Sequence, residues 1–360
     1  MSIVIFILIL GALIFVHELG HFLLAKKNGI RVDEFAVGFP PTIYSKTVGD
    51  TKYSLNSIPF GGFVRIFGEN PDDKSLDPNA TNSFVNKSKW VQAAVLVAGV
   101  VFNVIFAWFL FWIILMSGMP TEVTDENVNE INSARVFVMD VRPESPAKEA
   151  GLKPGDNILS IQHQNDVYKE NLDIETIQRV VASSESDVII KISRSGSKST
   201  LTIYPELIDE VPVIGIAMSA VGERRIPAHS AFVESFSLTY NSTIQIFKGL
   251  SAFFAGLFTG EAGLENVAGP VGIVGLVEDA ARFGWVNILT FTAVLSINLA
   301  VLNIMPFPAL DGGRLLFLGI EGITRKRIPA AFANAVNAIG FMILIGLMIV
   351  ITISDVFKLF

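Results

Sequence analysis

The chain has 360 residues, of which 51% are hydrophobic and 17% charged, with a mean hydropathy of +0.53 and a net charge of −7. Soluble domains normally carry more charge, so this composition favours a membrane protein. The acidic balance excludes the basic surface that nucleic-acid binding needs, and the absence of cysteine excludes disulfides and thiolate metal sites.

Four apolar runs are long enough to cross a bilayer, at about residues 3–25, 90–116, 286–304 and 333–353. The first run lacks a basic segment before it and a small-residue cleavage site after it, so we interpret it as a retained span and not as a signal peptide. The sequence therefore predicts a polytopic α-helical membrane protein with four transmembrane helices.

Basic residues flank these runs unevenly. They cluster in the segments after the first and third spans, at Lys26, Lys27, Arg31, Lys46, Lys52, Lys87, Lys89, Arg314, Arg325, Lys326 and Arg327. Because positively charged flanks stay in the cytoplasm, these two segments are predicted to be cytoplasmic. The N-terminus and the long region 117–285 are then predicted to be extracytoplasmic.

The cytoplasmic segment 26–89 completes the first half of the membrane core, residues 1–118. Its stretch YSLNSIPFGGFVRIFGE (53–69) contains two short β-like runs around Gly61 and Gly62. Tandem glycines between such runs predict a β-hairpin or a re-entrant loop, with the turn at the glycines.

The region 119–228 contains a segment of different character, at about residues 134–206. ARVFVMDV predicts a strand, SPAKEAGLKPGDNILSIQ a turn, short helix and strand, NLDIETIQRVVASS an amphipathic helix, and DVIIKISRSGSKSTLTIYPE a hairpin turning at Ser195 and Gly196. These elements predict a small soluble α+β domain inserted between the second and third spans. Its stretch 145–161 resembles the PDZ signature of bacterial periplasmic proteases; the alternative is an unrelated structural insert.

Residues 229–285 are predicted to lie at the membrane. Apolar positions at helical spacing in 230–258, with polar residues among them, favour a helix at the membrane surface over a fifth span. The stretch NVAGPVGIVGLVEDAA (266–281) predicts a loop followed by a short helix. The second half of the membrane core is then 286–360.

The first span contains the polar sequence HELGH. His17 and His21 are four residues apart, so on a helix both imidazoles project from one face, as two ligands of one Zn²⁺ would. Glu18, beside the first histidine, is placed to act as a general base. The alternative is that the histidines bond to neighbouring helices and that Glu18 lines a water-filled crevice.

A catalytic zinc usually has three protein ligands. The best candidate for the third is Asp311, just past the third span, because spans one and three run in the same direction and all three side chains then lie at similar depth. The alternative is a helix-terminating turn with a solvated carboxylate. Three asparagines, Asn103, Asn298 and Asn303, are either interhelical hydrogen-bonding groups or contacts to an unwound substrate.

These motifs together resemble the bacterial site-2 proteases, membrane-embedded zinc metalloproteases of the regulator-of-sigma-E protease type. The resemblance rests on HELGH, AGVVFN, SINLAVLNIMPFPALDGG, IPFGGFVRIFGE, AGPVGI and the inserted PDZ-like segment. It implies that His17, His21 and Asp311 bind one zinc ion and that Glu18 is the catalytic base. It further implies that the substrate is contacted by Asn298, Asn303 and the hairpin with Gly61, Gly62 and Phe63.

The chain departs from the family pattern in three places. Val100 stands where proline is common, Arg314 where histidine is frequent, and there is one PDZ-like segment where some members have two. None of these changes removes a ligand, but the single PDZ-like segment weakens any transfer of the two-domain members' substrate selection.

The sequence thus predicts an intramembrane zinc endopeptidase of the bacterial cytoplasmic membrane. Its substrates would be single-pass membrane proteins, such as anti-sigma factors or remnant signal peptides, cleaved near the cytoplasmic face. The PDZ-like segment would bind a peptide C-terminus or exclude substrates with a large outer domain. Two other classes stay open: a non-catalytic zinc-binding scaffold with a peptide-binding module, and a metal-ion transporter.

Overall fold

The computed structural model describes residues 2–69, 80–123, 131–164, 166–169, 172–184, 186–194, 196–208, 211–260 and 267–358. The chain divides into two compact units. The first unit comprises Met1–Phe111, Val233–Val277 and Leu289–Phe360, and the second comprises Trp112–Phe232 and Glu278–Ile288.

Within the described ranges, four helices are long and apolar enough to cross a membrane. They are α1 (Ser2–Lys27), α2 (Lys89–Ser117), α7 (Trp285–Ile304) and α9 (Ala330–Phe357). Each coincides with a predicted span but extends beyond it by up to four residues, except that α7 ends where predicted. Their apolar surfaces are largely exposed in the isolated chain, as expected for side chains that face lipid.

A long antiparallel hairpin follows α1. It consists of β1 (Val32–Val48) and β2 (Thr51–Ile66), with the turn at Gly49 and Asp50. The first part of β1 has partners on both sides, since Ala36 pairs with Ser54 and also with Phe63. The last part of β2, Gly62–Ile66, is therefore an edge of this small sheet.

The predicted reversal of the chain next to Gly61 and Gly62 agrees with the strand register, because residues 34–37 pair in rising order with 52–55 and in falling order with 65–62. Gly62 lies inside β2 and pairs with Val37. A Cβ atom at Gly62 would approach the Ala36 carbonyl oxygen to 2.6 Å, and one at Gly61, where φ is +137°, would approach the Phe39 ring to the same distance. The glycines therefore allow a close approach of β1 to β2 directly after this reversal.

The second unit contains the inserted β domain. Its strands are β3 (Met119–Glu122), β4 (Asn132–Val141), β5 (Asn157–His163), β6 (Asp166–Tyr168), β7 (Val188–Arg194), β8 (Ser197–Ile203), β9 (Glu206–Ile208), β10 (Val211–Val213) and β11 (Ile216–Arg224). Its helices are α3 (Pro146–Glu149) and α4 (Ile174–Ala182). The main sheet has the strand order β3-β11-β4-β5-β7-β8, with β6 paired to β5, and β9 and β10 form a separate hairpin.

Most predicted elements of this domain are confirmed. β4, α3, β5, α4 and the β7–β8 hairpin lie where the patterns placed them; Gly196 is at the hairpin turn, and Ser195 lies outside the described residues. The predicted boundary at 206 was too early, because β11 pairs with β4 and with β3. The sheet therefore extends as far as Arg224 and includes most of the region 119–228.

The remaining helices are α5 (Ala228–Thr259), α6 (Pro270–Arg282) and α8 (Asp311–Thr324). α5 and α6 agree with the predicted helical segments. α8 was not predicted, because the segment after the third span was interpreted as a loop. Its residues Gly312 and Gly313 are of a type that is unfavourable in helices. Here they occupy the first turn of a helix.

Candidate metal centre

His17 and His21 lie side by side on the buried face of α1. Both residues are 8% exposed, and their Nε2 atoms are 3.2 Å apart. The four-residue spacing on a helix produces this proximity directly, because residues i and i+4 lie one turn apart on the same face.

Asp311 lies beside the two histidines although it is 294 residues after His17 in the sequence. Its Oδ2 atom lies 3.1 Å from His17 Nε2 and 3.3 Å from His21 Nε2. Asp311 is the first residue of α8, immediately before Gly312 and Gly313. A Cβ atom at either glycine would collide with backbone carbonyl groups of Met305 or Phe307, so only glycine permits the tight connection that directs Asp311 to α1.

The three donor atoms fit a zinc ion. Ligand atoms about 2.0–2.1 Å from a tetrahedral zinc are about 3.3 Å from one another. The triangle formed by His17 Nε2, His21 Nε2 and Asp311 Oδ2 has sides of 3.1, 3.2 and 3.3 Å. Two imidazoles and one carboxylate are ligands that zinc accepts, and among the described residues this is the one group of three or more such side chains with metal-binding spacing.

α2 forms the wall behind the two imidazoles. The Val95 carbonyl oxygen lies 2.8 Å from His21 Nδ1 and is the acceptor that places the proton on Nδ1. One turn further along α2, a Cβ atom at Gly99 would lie 2.5 Å from His21 Nε2 and 2.7 Å from His17 Cε1. Any larger residue at position 99 would therefore push against both rings.

The same two helices are held together by a second glycine. A Cβ atom at Gly20 would lie 2.5 Å from the Ala98 carbonyl oxygen. Small residues at such crossings let two transmembrane helices approach closely. Gly20 and Gly99 thus bring the backbone of α2 against the histidine face of α1.

Glu18 points into a cavity of about 150 Å³ next to this triangle. The cavity is lined by the three donor residues, by side chains of the β2 edge strand and by the ion pair of Arg314 with Glu69. Its full lining is His17, Glu18, His21, Phe63, Val64, Ile66, Glu69, Phe84, Val95, Leu96, Asp311 and Arg314. Glu18 is partly buried and its carboxylate shares this space with the open side of the triangle. It is therefore placed to exchange a proton with a small molecule held there.

Of the other predicted site residues, the structure brings Phe63 to this cavity and Asn103 to the back of His17, whereas the remaining ones line neither place. Phe63 lines the cavity, but Gly61 and Gly62 are not among its lining residues. Asn298 donates a hydrogen bond to the Val294 carbonyl oxygen of its own helix, and Asn303 is partly buried; neither lines the cavity. Asn103 is fully buried behind His17, with its Nδ2 atom 3.4 Å from His17 Nδ1.

Sequence reasoning did not identify Val95, Gly99 or the ion pair between Arg314 and Glu69. A backbone carbonyl such as that of Val95 leaves no signal in the residue type. Gly99 and Asn103 are spaced four and eight residues after Val95, and this helical spacing was the one available sign that a single face of α2 meets the histidines. The sequence analysis used Arg314 only as a basic flanking residue and as a departure from the family pattern.

Comparison with known proteins agrees with this geometry. Residues 5–347 match peptidase family M50. A Clostridium perfringens protein, whose name provisionally assigns it as a zinc metalloprotease, is 36% identical over 99% of this chain and 98% of its own length. The zinc metalloprotease RasP of Oceanobacillus iheyensis is 29% identical over 100% of this chain and 99% of its own length, and the regulator of sigma-W protease RasP of Bacillus subtilis is 28% identical over the same shares.

The family match and the similarity to the three relatives both extend over nearly the full chain. The matched family region includes His17, Glu18, His21 and Asp311, as well as the inserted β domain and most of α9. The chain therefore belongs to peptidase family M50.

Proposed function

We propose that this peptidase is a zinc-dependent intramembrane endopeptidase that cleaves transmembrane segments of single-pass membrane proteins. The observation that carries the proposal is the triangle of His17 Nε2, His21 Nε2 and Asp311 Oδ2, with sides matched to a tetrahedral zinc. Its two histidines lie on a helix apolar enough to span a membrane.

In this proposal His17, His21 and Asp311 hold the zinc ion. When bound, zinc supplies Lewis-acid polarisation of the scissile carbonyl group and acidifies a water molecule. Glu18 takes the proton from the attacking water and returns it to the leaving amine nitrogen. The cavity beside the triangle gives this exchange a space of about 150 Å³ next to the three donor atoms.

The substrate would bind as an extended strand. A transmembrane helix hides its peptide groups in its own hydrogen bonds, so it must unwind locally before it can be cleaved. Residues Gly62–Ile66 support this step, because they form a sheet edge and their Phe63, Val64 and Ile66 side chains line the cavity. Addition of the unwound substrate to this edge would satisfy its backbone groups, with Asn298 and Asn303 as further substrate contacts.

The proposed topology follows from the flanking charges. The N-terminus and the inserted β domain would be extracytoplasmic, and the hairpin and the metal centre would lie towards the cytoplasmic face. This arrangement would place cleavage near the cytoplasmic end of the substrate's membrane segment.

The inserted domain would act as a PDZ-like module. It has a groove of about 570 Å³ lined by α4 and by the chain from Val211 to Met218, including Ile177, Val181 and Ile214. The groove would bind a peptide C-terminus, or the domain would exclude substrates with large outer domains. Replacing residues 119–225 by a flexible linker separates the two: new cleavage of untrimmed substrates supports exclusion, and loss of cleavage supports binding.

Glu18→Gln tests the catalytic proposal. In liposomes that contain a single-pass substrate, we expect zinc content to be unchanged and the cleavage rate to fall by about 10²- to 10⁴-fold, because the proton acceptor is lost. Glu149→Gln, an exposed change in the inserted domain, is the matched control.

If the Glu18→Gln protein cleaved the substrate at the wild-type rate, the proposed mechanism would be contradicted. The same liposomes measure zinc flux, so uptake of zinc without any peptide cleavage would instead support a transporter. Zinc binding with neither cleavage nor flux would support a scaffold.

A further inference from the structure

α2 presents three groups at successive turns to the histidine pair. The Val95 carbonyl meets His21 Nδ1, Gly99 lies against both rings, and the Asn103 amide meets His17 Nδ1. Because the three groups follow one another at intervals of four residues, they lie on one face of α2, and this face meets the histidines. Each imidazole thus has its own partner on the side away from the donor triangle.

The Asn103 side chain faces the ring of His17 and not the cavity. Asn103 is 0% exposed and is not among the residues that line the cavity with Glu18. This position does not suit a residue that contacts the substrate. Its neighbour across the helix interface is Ser296 of α7, whose hydroxyl donates to the Asn103 backbone carbonyl oxygen at 2.8 Å.

The chemistry of His17 defines what Asn103 must offer. A neutral imidazole that gives the Nε2 lone pair to a metal carries its proton on Nδ1. The Nδ1–H group is buried and needs an acceptor. The Asn103 amide is the side chain within hydrogen-bonding distance of that nitrogen, at 3.4 Å.

The amide oxygen supplies that acceptor. In the structure the amide nitrogen is turned to His17, and the Asn103 Oδ1 atom is buried without a hydrogen-bond partner. A half turn of the planar amide exchanges nitrogen and oxygen in nearly the same volume. After this exchange the His17 Nδ1–H group donates a hydrogen bond to Asn103 Oδ1. This is the direction that is needed when His17 binds a metal through Nε2.

We infer that Asn103 is a positioning residue that fixes the ring orientation and the tautomer of His17 for zinc binding, with its own helix tied to α7 through Ser296. This inference rests on the proposed zinc site. Partners on the outer nitrogen of a metal-binding histidine typically change metal affinity by about 10- to 100-fold when they are removed.

Asn103→Leu tests the inference on the full chain in detergent. We expect its zinc affinity, measured by competition with a chromogenic chelator, to fall by about 10- to 100-fold. The absorption bands of the Co²⁺-loaded protein should change as well, because they report ligand geometry. Asn103→Asp, which keeps an acceptor oxygen at the same position, should retain most of the affinity.

Gln92→Leu is the matched control. It also removes a buried amide from α2, but Gln92 donates to the Lys87 carbonyl and does not touch the imidazoles. Its zinc affinity and Co²⁺ spectrum should match those of the wild type. An equal loss in both leucine variants would overturn the inference in favour of a general packing defect.

The outcomes separate the two levels of the proposal. If wild-type protein binds no zinc, the proposed function fails. If wild-type protein binds zinc and Asn103→Leu binds it equally well with the same Co²⁺ spectrum, the inference about Asn103 alone is overturned.

Discussion

Gly99 shows that an absent side chain can decide whether a metal centre forms. Its Cα hydrogen faces both imidazoles, and an added methyl group would lie 2.5 Å from one Nε2 atom. That distance is far inside van der Waals contact, and the neighbouring atoms belong to rings already held at their other nitrogens. The rings would have to move out of the donor triangle.

We therefore expect Gly99→Ala to lose zinc while the protein stays folded. Alanine is favoured over glycine within a helix by about 1 kcal/mol, which offsets part of the packing cost. Zinc content after dialysis, measured by atomic emission, checks the expectation. Gly346→Ala is the control, since a Cβ atom at Gly346 of α9 meets no atom within 4 Å; normal zinc content in Gly99→Ala would refute the steric argument.

The sequence was informative about residues whose chemistry is unusual in their surroundings. His17, Glu18 and His21 are ionisable groups in an apolar helix, and Asp311 follows another apolar helix, so their types and depths already suggested a common site. The positions of Gly99 and Asn103 could not be interpreted in this way. A glycine or a buried amide acquires its meaning from the atoms across the interface, and a single chain does not reveal that interface.

At the scale of elements, the hairpin illustrates the same limit. Tandem glycines commonly mark turns, and in the strand register the chain does reverse between Leu55 and Gly62. A second turn, at Gly49 and Asp50, was not predicted, and the two strands are 17 and 16 residues long. Proline and glycine inside long strands are unfavourable for strand formation. The bounds of β1 and β2 therefore depend on the pairing of the two strands with each other.

Gly62→Ala should separate substrate handling from metal binding. The new methyl group would approach the Ala36 carbonyl oxygen to 2.6 Å and displace the edge strand that lines the cavity. Since a shift of about 1 Å in substrate position can cost 10²-fold in rate, we expect a fall of 10- to 100-fold in cleavage.

Zinc content should stay at the wild-type level in Gly62→Ala, because Gly62 is not among the residues around the donor triangle. Gly11→Ala is the control, since its methyl group would make only an ordinary 4.0 Å contact with the Pro59 carbonyl oxygen. Unchanged cleavage in Gly62→Ala would argue against binding at this edge.

α8 is another element that was not predicted from the sequence. Its first turn contains two glycines, which disfavour helix, yet the close approach of the backbone after α7 requires them. Length and apolarity were decisive for the spanning helices, since α1, α2, α7 and α9 follow from these two properties alone. The elements of the inserted domain followed from strand and turn patterns, but the partner strand β11 did not, because long-range pairing is not encoded locally.

At the scale of the whole molecule, the donor triangle joins residues 294 positions apart in sequence. A ligand that binds only the folded state stabilises it by an amount that grows with its concentration, about 4.1 kcal/mol at one thousand times Kd. Removal of zinc should therefore lower the unfolding temperature of the detergent-solubilised protein.

Thermal unfolding with and without a strong chelator measures this effect. Asp311→Ala, which removes the ligand furthest along the chain, should start from a lower unfolding temperature and respond little to the chelator. An equal response of the variant and the wild type would mean that the metal acts somewhere other than the donor triangle.

The crossing of α1 and α2 at Gly20 and Gly99 also bears on biogenesis. Both histidines and the α2 groups that hold them lie within the first 103 residues, whereas Asp311 is made about two hundred residues later. During synthesis, the nascent chain can thus preassemble two of three ligands while it still lacks the last one. The order of the chain therefore delays completion of the donor triangle until Asp311, in the second half of the protein, has been synthesised.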